Sequence, residues 1–188
     1  MATSAKAKAP TKDRLLTAAH RCLLQRGYAA TTVRDLVAES GANLASINYH
    51  FGSKERLLNQ ALFELNSQWG EVIFAALDGA GGSTAQRWQQ VIDSITERRD
   101  LWFVNFEALV LAQHDEEIRS GLAERGDGAR VALARSFAGV TAENSSAADV
   151  HRVGSFYYSQ LIGVAFQWLT DPETAPSAEE VAGGPNLG

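Results

Sequence analysis

The sequence predicts an all-α chain, with an N-terminal three-helix bundle and a larger helical domain behind it. Apolar residues recur at i, i+3, i+4 along most of the chain, alternating Val/Ile-rich runs are absent, and Gly/Ser clusters separate the periodic stretches. The 188 residues, 45% hydrophobic, suffice to bury a sizeable core in one or two domains. Charge divides along the same line. Residues 1–60 hold nine Lys/Arg and four Asp/Glu, a net +5, whereas the whole chain carries −5, so residues 61–188 carry −10.

Residues 1–10 are Ala/Ser/Lys-rich and uncapped, and are expected to form a disordered basic arm. Its Lys6 and Lys8 either follow a nucleic-acid backbone or merely solubilise the tail. The first helix is predicted over about 12–26, burying Leu15, Leu16, Ala19, Cys22 and Leu23 and stopping at Gly27. Thr32 is placed to cap the second helix and Asp35 to reach back in a shortened capping box, with Val33, Leu36 and Val37 as the apolar stripe. Gly41 ends it, because positive φ is cheapest in glycine. Asn43 caps a third helix over about 44–51, where Leu44, Ile47 and Phe51 are the large apolar residues.

The remaining face of that third helix shows Ala45, Ser46, Asn48, Tyr49 and His50, with no acid among them. Small residues permit close approach to a major groove, and amide and hydroxyl groups match base edges and phosphates. Lys54 sits in the first turn of the next helix, where the dipole disfavours a cation and a phosphate would explain it. Thr32, Asn43, Leu44, Ala45, Ser46, Asn48, Tyr49, His50 and Lys54 are therefore the candidate DNA-binding residues. Thr32, Tyr49, His50 and Lys54 are assigned to phosphates; Ser46 and Asn48, helped by Leu44 or Ala45 against thymine methyls, are assigned to bases.

Gly27-Tyr28, Thr31-Thr32-Val33, the Ser40-Gly41 turn, Ile47 through Glu55 and Leu57-Leu58 together resemble the DNA-binding domain of TetR-family transcriptional regulators, over roughly residues 10–60. Asn48 stands where many members carry an aromatic residue, and Ala42-Asn43 replaces a commoner valine-serine pair. These departures bear on the DNA sequence read and leave the fold intact. The resemblance implies a dimeric, ligand-responsive regulator.

Behind the bundle, helices are predicted over about 54–77, 84–98, 101–113, 118–139 and 147–169, with a break at Gly126 and Gly128. The domains are read as an arm at 1–10, a helix-turn-helix domain at 11–58, an effector-binding and dimerisation domain at 59–170, and a disordered Pro/Gly/acid-rich tail at 171–188. The family resemblance implies an effector pocket in the helical body. Phe63, Trp88, Trp102, Asn105, Phe106 and Tyr157 are its candidate lining, for an apolar or aromatic small molecule; the alternative for each is close-packed core. The last long helix is apolar on two faces. Val150, Val153, Gly154, Tyr157, Tyr158, Leu161, Ala165 and Trp168 are its candidate dimer contacts, in a two-fold four-helix bundle.

Other chemistry is not expected. No nucleophile elbow, phosphate-binding glycine loop or paired zinc ligands occur, so no enzyme, cofactor or metal site is predicted. A single cysteine excludes an internal disulfide and fits the cytoplasm. No charged n-region precedes an apolar h-region, and the longest apolar run, 101–112, falls short of the roughly 20 residues that span a bilayer. The expected partners are double-stranded DNA, a small-molecule effector and a second copy of the chain, with no membrane. The rival readings are a constitutive DNA-binding protein without effector and a small helical ligand-binding protein.

Overall fold

The first helix sets the frame of the N-terminal part. In the computed structural model, which describes residues 9–78 and 82–184, α1 (Thr11–Arg26) buries Leu15, Ala18, Ala19, Cys22 and Leu23, an i, i+3/i+4 stripe. Against it lie α2 (Val33–Ser40) and α3 (Leu44–Phe51), which contribute Leu36, Ile47 and Phe51 to the core. The start of α4 (Lys54–Asp78) adds Leu57, Leu58, Ala61 and Leu62. The expected basic arm, with Lys6 and Lys8, lies outside the described residues up to residue 8.

The chain divides into two compact units at Asn66/Ser67, within α4, rather than at residue 58. The second unit holds the rest of α4 with α5 (Thr84–Glu97), α6 (Arg99–Leu111), α7 (Glu116–Ala138), α8 (Ala147–Thr170) and α9 (Ala178–Gly183). Its core joins Ile73 and Leu77 of α4, Trp88, Val91, Ile92 and Ile95 of α5, Trp102 of α6, Leu133 and Phe137 of α7, and Leu161, Val164, Ala165 and Leu169 of α8. Arg99, at the start of α6, donates to the carbonyls of Trp168 and Leu169 at 3.2 and 2.8 Å, satisfying the free C-terminal end of α8. Among the described residues no helix is long and apolar enough to cross a membrane.

Three expectations about this unit are corrected. The helix expected to break at Gly126 and Gly128 runs unbroken through both. Gly126 is buried near the Tyr158 hydroxyl and Gly128 is exposed, and a helix penalty of roughly 1 kcal/mol per glycine is too small to break a 23-residue helix that packs on α8. The tail expected to be disordered forms α9 instead. Ser177 and Glu180 make a reciprocal capping box, Ala178 is buried against the core, and Trp168 Nε1 donates to Pro176 O at 3.0 Å.

The third correction concerns Gly154. Its expected role was close approach of a partner chain, yet a Cβ there would lie 2.2 Å from the Arg130 carbonyl oxygen of the chain's own α7. Tyr158 sits by Gly126 and Arg130, and Gly154 by Arg130, so α7 and α8 run antiparallel in tight contact. Val150, Leu161 and Ala165, also assigned to the dimer, are likewise buried within the chain.

Gly154→Ala should therefore destabilise the protein, although alanine is the better helix former. Overpacking against backbone costs about 1–3 kcal/mol, more than the roughly 1 kcal/mol gained in propensity. A lower denaturation midpoint is expected; an unchanged or higher one would contradict the close approach.

Candidate nucleic-acid interface

The site begins with how its two short helices are started and stopped. Thr32 N and Oγ1 both donate to Asp35 Oδ2, at 2.9 and 2.6 Å, and Thr32 Oγ1 accepts from Asp35 N at 3.2 Å, completing the capping box. Gly41 closes α2 with φ 62°, in the left-handed region. Asn43 Oδ1 then caps α3, accepting from Ser46 N at 2.9 Å and Ser46 Oγ at 3.0 Å. Gly52 ends α3 at φ 84°, and Ser53 Oγ accepts from Arg56 N at the start of α4.

The turn between α2 and α3 is held from outside. Arg14 of α1 donates through Nε to Ser40 O at 3.0 Å and through its guanidinium to Gly41 O at 2.9 Å. Ser40 Oγ donates to Leu36 O at 2.6 Å and accepts from Ala42 N at 3.2 Å. Sequence reasoning marked the Ser40-Gly41 turn but missed Arg14 as its clamp. Arg14 carried only the signal of a cation on α1, since its partners lie more than two dozen positions away. Tyr28 Oη donates to Asn59 Oδ1 at 2.7 Å, tying the α1–α2 loop to α4.

On α3, Ile47 and Phe51 face the core, while Leu44, Ala45, Asn48 and Tyr49 are exposed. Tyr49 is 85% exposed, its ring edge-to-face with His50 at 4.9 Å. Ser46 and His50 are half-buried. Eight of the nine predicted residues lie on α2, α3 and their caps, Lys54 opens α4 beside them, and the nine differ in freedom. Asn48 and Tyr49 stand free of side-chain caps, whereas Thr32, Asn43 and Ser46 spend polar groups on holding the helices. Lys54 Nζ lies 3.4 Å from Thr31 O and 3.7 Å from Glu55 Oε1, with 27% of its side chain exposed. It braces the α1–α2 loop and keeps donors to spare.

Electrostatics follow the same lines. The Thr32 hydroxyl and backbone N–H, with Arg26 and Arg34 nearby, hold the Asp35 carboxyl below its ordinary value. Burial, with Asp35 and Glu39 nearby, pushes the Cys22 thiol up, as suits a packed side chain. Among the described residues no group of three or more His, Cys, Asp or Glu converges on a metal position.

The body residues assigned to an effector pocket divide differently. Trp88, Phe137 and Tyr157 form a column, with centroids 4.8 Å apart at each step. Trp102 meets Trp69 edge to face at 4.9 Å. Phe106 packs half-buried against the core, and Asn105 donates to Leu101 O at 2.8 Å. Phe63 belongs to the N-terminal unit.

Residues 15–61 match the family model of bacterial regulatory proteins, tetR family. The HTH-type transcriptional repressor DhaR of Mycobacterium sp. (strain GP1) is 30% identical over 94 residues, 50% of this chain and 48% of that protein. The HTH-type transcriptional repressor KstR2 of Mycolicibacterium smegmatis is 31% identical over 105 residues, 54% of this chain and 44% of its own. The match thus spans about half the length of these curated relatives. The multidrug binding protein EbrR, in a crystal complex with proflavin, shares the fold with a TM-score of 0.71 at 22% identity, covering 93% of this chain and 96% of that one.

Because Asp35 is held below its ordinary pKa, its charge favours the folded unit. That contribution is complete above the ordinary carboxylate pKa and fades as pH falls through the lower folded value. Asp35→Asn should lower the denaturation midpoint at pH 7, and the gap from the parent should narrow steadily below about pH 4. A gap constant across that range would show that the carboxylate charge contributes nothing.

Proposed function

We propose that this chain, whose residues 15–61 match the family model of bacterial regulatory proteins, tetR family, is a cytoplasmic repressor that binds a pseudo-palindromic operator as a homodimer and is released by a small apolar or aromatic effector. The observation that carries the DNA-binding part is the acid-free exposed face of α3, with Asn48 and Tyr49 projecting from a helix whose own ends are capped. An asparagine amide pairs bidentately with adenine N6 and N7, so Asn48 reads bases. Tyr49, the half-buried His50 and the spare donors of Lys54 meet phosphates and fix register. Leu44 and Ala45 offer methyl contacts to thymine. Thr32, Asn43 and Ser46 act mainly by fixing the angle at which α3 is presented.

For the dimer a different surface is proposed. Val150, Gly154, Leu161 and Ala165 are occupied within the chain, but Val131 of α7 and Phe156 and Phe166 of α8 are each more than half exposed. Large apolar side chains at such exposure on two packed helices favour pairing with the same helices of a second copy. Val153, Tyr157, Tyr158 and Trp168 are half-buried, and three of them are engaged within the chain: Tyr157 stacks on Phe137, Tyr158 lies by Arg130 and Trp168 donates to Pro176 O. Two copies of α3 would then enter successive major grooves about 34–36 Å apart. The effector part draws on EbrR, a multidrug binding protein of the same fold, and on the aromatic side chains of the body.

Selection from random duplex DNA should enrich one pseudo-palindromic sequence; no enrichment at low salt would end the operator reading. On that operator, Asn48→Ala should lose about 1–3 kcal/mol of discrimination at one base pair per half-site, read by competition with single-substituted duplexes. Equal preference in parent and variant would remove Asn48 from base reading.

The doubly substituted Phe156→Glu/Phe166→Glu protein should sediment as a monomer at micromolar concentration where the parent is a dimer. A parent that sediments as a monomer, or a variant that remains a dimer, would discard this interface.

A further inference from the structure

Two indole N–H groups in the body lack an acceptor. Trp69 of α4 and Trp102 of α6 meet edge to face, their centroids 4.9 Å apart and their planes at 86°. Both Nε1 atoms are shut off from solvent, and neither has a hydrogen-bond partner among the described residues. Trp102 is 1% exposed. Buried donors are rarely left unmatched in native proteins, and two on touching rings call for an explanation. The fold supplies an acceptor where an indole is structural, since Trp168 Nε1 reaches Pro176 O at 3.0 Å. The nearby amide of Asn105 offers its Nδ2 to Leu101 O and points its donor to its own helix.

The aromatic column shows the contrast. Trp88, Phe137 and Tyr157 lie tilted or stacked face to face, with interplanar angles of 39° and 20°, and so fill one another's faces as packed core. The Trp69–Trp102 pair is packed through ring edges and leaves polar handles unused.

We propose that Trp69 and Trp102 are the polar anchor of the effector site, and that the effector is an uncharged, mostly apolar ring compound carrying a carbonyl or ether oxygen. The inference rests on the effector reading above. Indole only donates, so the complementary group must be an acceptor. Both indoles pack with a cluster of apolar side chains that offers an anion no counter-charge, so an anion would shed its hydration for neutral donors, whereas a neutral oxygen loses little. The rings supply apolar contact area, and the N–H groups supply orientation.

The test titrates full-length protein with matched pairs that differ by one carbonyl: 9-fluorenone against fluorene, 1-indanone against indane, and acetophenone against ethylbenzene. Indole N–H resonances are followed by NMR, assigned through Trp69→Phe and Trp102→Phe. In at least one pair the ketone should bind about tenfold more tightly, with a downfield shift of the Trp69 or Trp102 N–H. The preference should shrink to within about twofold in at least one variant, while the hydrocarbon binds as before. Should Trp102→Phe fail to fold, Trp69→Phe carries the comparison. Equal binding within every pair, a preference that survives substitution, or indole protons already bonded to a trapped water in the free protein would overturn the proposal and leave the effector reading standing. If no compound of either kind binds, both readings fall.

Discussion

The recognition surface depends on the clamp that Arg14 places on the turn between α2 and α3. That turn must reverse the chain within a few residues and leave α3 at a fixed angle, yet its closing residues, Ser40 and Gly41, end a helix whose last carbonyls lack intrahelical donors. A single guanidinium from α1 satisfies two of them. A charge-assisted, two-pronged contact of this kind restrains direction as well as distance. Because α1 is itself anchored by five buried apolar residues, the rigidity of the core passes through Arg14 to the recognition helix. Leu36, Ile47 and Phe51 fix the other sides of the same helices. Asn48 and Tyr49 stay exposed on the helix so held, as the proposed DNA contact requires.

A division of polar labour follows. Inside the helix-turn-helix, side chains that look alike in sequence do different work. Asn43 and Asn48 are five residues apart on one short helix, but the first accepts two hydrogen bonds from Ser46 and the second is exposed. Thr32 has its hydroxyl both donating and accepting within the Asp35 box. In the proposed complex, groups committed in this way act through geometry, by fixing how α3 is presented, and the uncommitted groups are the ones assigned to the DNA itself. Lys54 stands between the classes, bracing Thr31 through one proton while keeping others available.

How much of this was legible in the sequence depended on separation along the chain. Caps are local, three residues from cap to partner, and Thr32–Asp35, Asn43–Ser46 and the glycine stops stand out from residue type and spacing. The helices of the body were equally readable from periodicity. The Arg14 clamp and the Tyr28–Asn59 bond were not, since nothing local marks partners more than two dozen residues away. The tail shows a different failure. Its Pro, Gly and acids predicted disorder, but the Ser177–Glu180 box was a local signal in plain sight, and burial of Ala178 completes it. Gly126 and Gly128 suggest a break, but a propensity of about 1 kcal/mol each does not interrupt a long helix held along its length by its neighbours.

Gly154 carries the point further, because its meaning was half legible. A small residue on an apolar helix predicts close approach, and the approach is there, but to Arg130 of the same chain. Sequence periodicity shows that a helix has two apolar faces without showing which is turned inward. In this body the inward face of α8 is the one with the small and branched residues, closed against α5 and α7. The outward face keeps Phe156 and Phe166, the larger and less economical residues to leave in water. That inversion makes the second face informative. The close α7–α8 contact turns one face of the pair inward, and the outer face, with Phe156 and Phe166, is the one the proposed dimer would use.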